Sequence, residues 1–515
     1  MPGEAAPAAQ VDVSGSAKHG AELRRTARLM TWTLILVLVW LPLQTPIAIA
    51  VFQYGHSVGL ARATLLLKDA AVALLLLYAL ATTWPSLRLR WFDQAAIAYV
   101  VLVMVYSAVP WLLGSHQTIT AVAAAAREFV LPVEAYALGR LAYLAGVDLK
   151  FIFKAFVAAS AVIAATAVLE YFVLPITFWS STLDLVSFER VVQGIPGAQT
   201  LWDISLLGDY GAGQGAYPRA IATFTHPVGA AGYFILPLGL TVAAWFSGEG
   251  RGKRLMTSAL VGLSLLFGLA TVVAVSRGAW VAAAVVVVMC GYIFRRLRMA
   301  FLCLTIVGIF LIGVAPFNQS ITSALDQNDS SVVGHMEALG RDVQAVIENL
   351  FGLGLGSADR IVNLQVATPA PTAMAQASQT PATTSSGTSN NSDIESASIG
   401  EDLYLSVLVS TGPLGAATFF AWCLGVIVAL FRGARRSARS WLVIGTTTAL
   451  VGSLVSATTS SAMMRFTTAA SAWLLLGLAT SLVLATSPTK VAGFTRKNLS
   501  APRRLSRHLR KHPVA

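Results

Sequence analysis

Nine cationic side chains stand apart from the rest of this chain: Arg62, Lys68, Arg127, Arg190, Arg219, Arg277, Arg341, Arg360 and Arg465. Of the 36 Lys and Arg, 26 gather in the two tails and in short clusters between apolar runs, and Arg140 lies near that same side. The nine fall on the opposite side, in the longer connections or at the outer ends of the runs. Eight of them are arginine, whose planar guanidinium forks onto phosphate or carboxylate oxygens in pairs. Ionisable groups at membrane depth are costly, and they line cavities, pair with one another or meet a ligand. A cationic pocket at such a surface suits a pyrophosphate carried on a lipid. Taken singly, each arginine equally suits an ion pair or a snorkelling anchor.

Proton transfer has its own candidates. Glu401 and Asp402 stand directly before an apolar run. A carboxylate there can take a proton from a hydroxyl, or it can simply be an acid favoured at a helix N-terminus. His226 and His335 read as structural or supporting residues. The run Gly352 to Ser357 has the look of a phosphate loop, but it lacks the lysine and the preceding strand that such a loop needs. It reads as a tight turn that lets backbone pack closely. The chain has no HExxH, no DxD pair in an exported loop and no Ser/His/Asp order. A reaction without metal or cofactor is the expectation.

Membrane helices must position these residues. The 515 residues are 56% hydrophobic and 12% charged, about half the charge of a soluble chain. The apolar residues come in runs long enough to cross a hydrocarbon core of ~30 Å. Twelve spans are expected, over 30–52, 64–83, 94–113, 120–145, 151–175, 223–246, 255–275, 279–294, 299–315, 402–431, 441–458 and 466–486. The first is too long for a signal-peptide core and reads as a retained span. The stretch from Leu255 to Phe294 is twice a bilayer's need as one helix, and only Ser276-Arg277-Gly278 interrupts it. A break there makes two short helices and puts Arg277 at the exported surface.

The clusters of Lys and Arg, from Lys18 and Arg24 to the tail beginning at Lys490, fall after even numbers of crossings, so both termini are expected in the cytoplasm. That scatter also excludes a nucleic-acid partner despite the net charge of +12. Cys290, Cys303 and Cys423 all fall in spans and offer no disulfide framework. The expected organisation is a basic cytoplasmic tail (1–29), spans one to nine (30–315), a long periplasmic loop (316–400), spans ten to twelve (401–486) and a second basic tail (487–515). Within the loop, residues 367–392 are low-complexity and cannot bury enough surface to fold. Ser331 to Phe351 has helical spacing, with Val332, Met336, Leu339, Val343, Val346 and Ile347 near one face, as in a helix lying on the membrane surface. Trp179, Trp202 and Trp422 read as interface anchors.

Several local patterns then coincide in order. They are Arg219-Ala220-Ile221-Ala222-Thr223-Phe224-Thr225-His226-Pro227, Ser276-Arg277-Gly278-Ala279-Trp280, Gly334-His335-Met336, Asn349-Leu350-Phe351-Gly352-Leu353-Gly354-Leu355-Gly356, Glu401-Asp402-Leu403-Tyr404-Leu405 and Thr411-Gly412-Pro413-Leu414-Gly415. With these the chain resembles, over about residues 60–480, the O-antigen ligase and Wzy-type polymerase superfamily of bacterial inner-membrane glycosyltransferases. The resemblance implies an all-α polytopic protein with about 12 transmembrane helices and a long periplasmic loop before span ten. It implies transfer of a glycan from an undecaprenyl pyrophosphate donor to a hydroxyl, inverting and metal-independent. Arg219 and Arg277 match the arginines thought to hold the pyrophosphate, and Arg341 joins them as a third candidate. Glu401 stands where ligases often carry a histidine, an acidic departure compatible with the polymerases. His226, His335, Asp402 and Tyr404 are the supporting candidates.

Polymerisation of an exopolysaccharide or O-antigen repeat is the preferred reading, with transfer to lipid A core or protein as the alternative. A flippase or secondary transporter is the reading from another class, and it would call for internal repeats and midplane charges. The expected partners are the lipid-linked oligosaccharide and the bilayer, with a flippase and a chain-length regulator alongside.

Overall fold

The computed structural model describes residues 13–83, 87–112, 119–174, 184–193, 219–249 apart from 225, 253–314, 403–434, 440–458 and 467–486. Short pieces at 178, 317, 321–322, 336, 339–340, 343–348 and 351–355 complete it. A chain in hydrocarbon must satisfy every backbone N–H and C=O internally, which leaves the helix as the open-chain solution. Among the described residues there is no strand, and twelve helices have 17 residues or more. They are α1 (Val13–Gly55), α2 (Val58–Thr83), α3 (Trp91–Leu112), α4 (Ile119–Leu144), α5 (Leu149–Val173) and α6 (Pro227–Ser247). The others are α7 (Arg254–Val273), α8 (Arg277–Ile293), α9 (Leu297–Gly313), α10 (Leu403–Ala434), α11 (Ser440–Ser456) and α12 (Thr467–Thr486).

Eight of these are long and apolar enough to cross a membrane, and three shorter apolar helices, α8, α9 and α11, stand beside them. The remaining one, α4, is interrupted by Arg127, Glu128, Glu134 and Arg140. The protein is a polytopic all-α membrane protein. One end of α1 differs from expectation. The helix begins at Val13, well before the apolar run, because the segment AELRRTARLM is rich in strong helix formers.

Packing sorts the helices into an inner and an outer set. α6 is buried around nearly its whole circumference, the mark of a helix that is hydrophobic on all sides and central. α12 is equally enclosed and lies along α4, where Gly139 and Gly477 let the two backbones touch. α11 lies against both α6 and α8. A methyl group at Gly239 would meet the Gly445 carbonyl at 2.7 Å, and one at Gly452 would meet the Ala282 carbonyl at 2.8 Å. Small residues at such crossings bring membrane helices into close van der Waals contact. α2 and α9 are outer helices. Leu66, Leu67, Leu74 and Leu77 on one, and Leu302, Ile306, Ile309 and Ile312 on the other, present exposed apolar rows.

Trp422 is a correction. It is fully buried and stacks on Trp473 with ring centroids 4.2 Å apart, so it is a core residue rather than an interface anchor. Trp179 and Trp202 lie outside the described residues.

Candidate active site

Two turns at one end of the bundle carry Arg219 and lead into Arg277. The first runs from Arg219 to Phe224 and leads into α6. The second is Ala274-Val275-Ser276, between α7 and α8. The forty-residue apolar stretch therefore breaks at the interruption read from the sequence, and Arg277 opens α8, half-buried. The two turns are stitched together. The Ala220 N–H donates to the Val273 carbonyl at 3.1 Å. The next two N–H groups, of Ile221 and Ala222, donate to the two carboxylate oxygens of Glu170 at 3.0 and 2.6 Å. Each turn also holds a non-glycine residue in the left-handed region, Ala222 at φ 53 and Val275 at φ 46. That conformation is costly, above all for β-branched valine, and persists where the surroundings over-determine it.

Around these turns stand aromatic rings and a capped helix start. Phe317, fully buried, stacks on Tyr171 at 5.8 Å and meets Trp280 edge-on at 6.0 Å. His226 is the N-cap of α6, with Nδ1 accepting the Val228 N–H at 3.2 Å, and Pro227 takes the first helical position. Proline suits that position because its missing N–H is not needed there. Thr468 at the start of α12 donates to the Gly229 carbonyl at 3.3 Å, which fixes α12 to the same region.

The start of α10 reaches this end through α11. Leu403 donates its N–H to the Ala457 carbonyl at 3.0 Å. The Tyr404 hydroxyl donates to the Leu454 carbonyl. Glu401 and Asp402 lie outside the described residues, as do His335 and Arg341. α11 thus packs against the start of α10 and against α6 and α8, the two helices that follow the arginine-bearing turns.

The glycine run is an anchor. Pro413 has no N–H, so the Val409 carbonyl four residues earlier loses its helical partner; the Leu353 N–H donates to it at 2.8 Å. Pro110 likewise frees the Tyr106 carbonyl on α3, and the Leu355 N–H takes it at 3.3 Å. Gly352 at φ 84 and Gly412 at φ 63 face each other, and a methyl group on Gly352 would meet the Gly412 nitrogen at 2.7 Å. Two segments of the sequence resemblance thus form one contact.

The remaining unusual cations sort by what they touch. Arg62 donates to the Val191 and Val192 carbonyls, each at 2.9 Å, and so clamps the short π-helical turn Glu189–Gln193. Lys68 and Arg127 both meet Asp69, at 3.7 and 3.3 Å. They lie ten and eight residues inside α2 and α4, about 15 and 12 Å from the helix ends and deeper than the outer-end placement expected. Arg190 is exposed, and Arg360 and Arg465 lie outside the described residues. Glu170 is not among the site residues expected from the sequence. Its signal is present: it is the sole acid in α5, and burying a carboxylate is expensive unless it is hydrogen-bonded.

Residues 261–420 match the O-antigen ligase family. The match covers the middle of the chain. It begins in α7, takes in the Arg277 turn, the glycine anchor and Glu401-Asp402, and ends in α10 beyond the Gly412 kink. The turn bearing Arg219 precedes the matched O-antigen ligase residues and is joined to them by the Ala220–Val273 bond. No curated protein matches the chain.

Proposed function

We propose that the protein is a glycosyltransferase of the bacterial inner membrane. It polymerises undecaprenyl-pyrophosphate-linked oligosaccharide repeats at the periplasmic face, with both termini in the cytoplasm. The observation that supports this reading is the backbone stitching of two arginine-bearing turns, joined by the Ala220–Val273 bond, inside or beside the residues that match the O-antigen ligase family.

In the proposed reaction the acceptor hydroxyl oxygen attacks the anomeric carbon of the donor from the face opposite the pyrophosphate, so the centre inverts. The bond from that carbon to the pyrophosphate oxygen breaks, and its electron pair leaves with undecaprenyl pyrophosphate. The departing group gains negative charge in the transition state. Guanidinium groups fixed around it, Arg219, Arg277 and Arg341, stabilise that state more than the ground state. Glu401 receives the hydroxyl proton, and the chain's own charges do this without a metal. Asp402, Tyr404, His226 and His335 support the site. A flippase and a chain-length regulator are the proposed functional partners.

Transfer to lipid A core is the second reading, favoured by the ligase description of the matched family. Incubating the purified protein in detergent with lipid-linked repeats, alone or with lipid A core, separates the two. Polymerisation predicts a ladder of lipid-linked products without core. Products only when core is present would make it a ligase. Absence of both, with repeats moved across a vesicle membrane, would favour the flippase.

A further inference from the structure

We infer that Glu170 is a positioning residue of the pyrophosphate site: its carboxylate sets the turn that carries Arg219, and thereby holds that turn against the one that carries Arg277. The inference rests on the pyrophosphate reading proposed above.

Glu170 lies in the last turn of α5 and is buried. A carboxylate in that setting is stable only where donors meet it, and here both oxygens accept successive backbone N–H groups, charge-assisted bonds of the strong class. The two N–H groups sit on successive peptide planes joined at Ile221, directly before Ala222 in its left-handed conformation. With the Ala220 bond to Val273, three consecutive N–H groups after Arg219 are committed. They fix the direction in which the Arg219 stem leaves the chain. Helix packing alone would be served as well by an apolar residue at position 170. A carboxylate adds orientation.

The adjoining residues bind the same region from the other side. Tyr171, next in sequence, stacks on Phe317, which touches Trp280, one helical turn after Arg277. The end of α5 thus meets both turns, one through Glu170 and the other through this aromatic pair.

The test is a double-mutant cycle on initial rates of elongation, with purified lipid-linked repeat as substrate in detergent. Glu170→Gln replaces one acceptor oxygen by a donor that opposes a backbone N–H. It should lower kcat by about tenfold to a hundredfold, the range for a misplaced catalytic contact, with donor KM moving far less. In an Arg219→Ala background the same change should cost almost nothing, because the group it positions is gone. Equal factors in both backgrounds would mean a purely structural role and overturn the inference, as would a wild-type rate for Glu170→Gln. Arg219→Ala with a wild-type rate would sink the pyrophosphate reading itself. Should Glu170→Gln fail to accumulate as folded protein, Glu170→Asp, which keeps both oxygens on a shorter stem, goes through the same cycle. A loss confined to the Arg219 background supports the positioning role, and equal factors in both backgrounds overturn it.

Discussion

Arg140 and Arg277 place the same guanidinium at opposite ends of one bundle, in surroundings that differ in kind. Arg140 is sealed inside. Its side chain pairs with Asp93, donates to the Ser481 hydroxyl at 3.0 Å and reaches the Arg88 carbonyl at 3.4 Å. Asp93 also accepts from the Tyr136 hydroxyl at 3.0 Å and from the Arg90 N–H at 2.8 Å, so α3, α4 and α12 are knotted together. Arg277 is half-buried and opens a helix after a strained turn, beside a second arginine-bearing turn. A charge enclosed by its counter-charge inside the bundle holds helices together. A charge carried on a braced turn at the bundle end is the one proposed above to meet the pyrophosphate.

The comparison breaks most sharply at the proposed base. Glu401→Gln should cut elongation by about 10²- to 10⁴-fold, the usual share of general-base catalysis. Asp402→Asn, its neighbour, should do far less. A near-normal product ladder from the Gln variant would reduce Glu401 to a helix-terminal acid contributing about 0.3–1 kcal/mol. At the sealed end the expected effect falls on stability. Asp93→Ala leaves Arg140 buried without its carboxylate, a change that costs about 3–5 kcal/mol. Thermal unfolding in detergent should shift strongly downward while the rate per folded molecule stays put; a slowed rate with unchanged unfolding would erase the contrast between the ends.

Arg219→Ala should show the mirror image, an unfolding curve like the wild type and a rate lower by about 10²–10³, the loss on removing one donor to a developing anion. Arg277→Lys keeps the charge and gives up the fork, and should lose less, on the order of tenfold. Wild-type rates for both would assign them to structure along with Arg140.

The helices are legible because bilayer thickness sets the length of an apolar run, and the break at Arg277 is legible because forty apolar residues cannot be one span. The pairing of the Arg219 and Arg277 turns is not. It depends on α7 ending beside the entry to α6, and on a bond between Ala220 and Val273 that no local pattern announces. Glu170 is hidden for a similar reason, since its partners come 51 and 52 residues later. Trp422 misleads because lipid and protein interior are equally apolar; hydropathy cannot say which of them a tryptophan faces. The proline-freed carbonyls at Tyr106 and Val409 can be read from Pro110 and Pro413, but not which segment would answer them.

That answer has a thermodynamic consequence for the long connection between α9 and α10. Pinned at Leu353 and Leu355, the chain from 314 to 402 closes as two loops instead of one. Closure entropy grows only with the logarithm of loop length, about 0.6 kcal/mol for each doubling. The low-complexity tract at 367–392 belongs wholly to the second loop, whereas Arg341 belongs to the first. The second loop can therefore double in length, or lose the tract, for less than the worth of a single hydrogen bond, and the closure of the loop holding Arg341 is left unchanged.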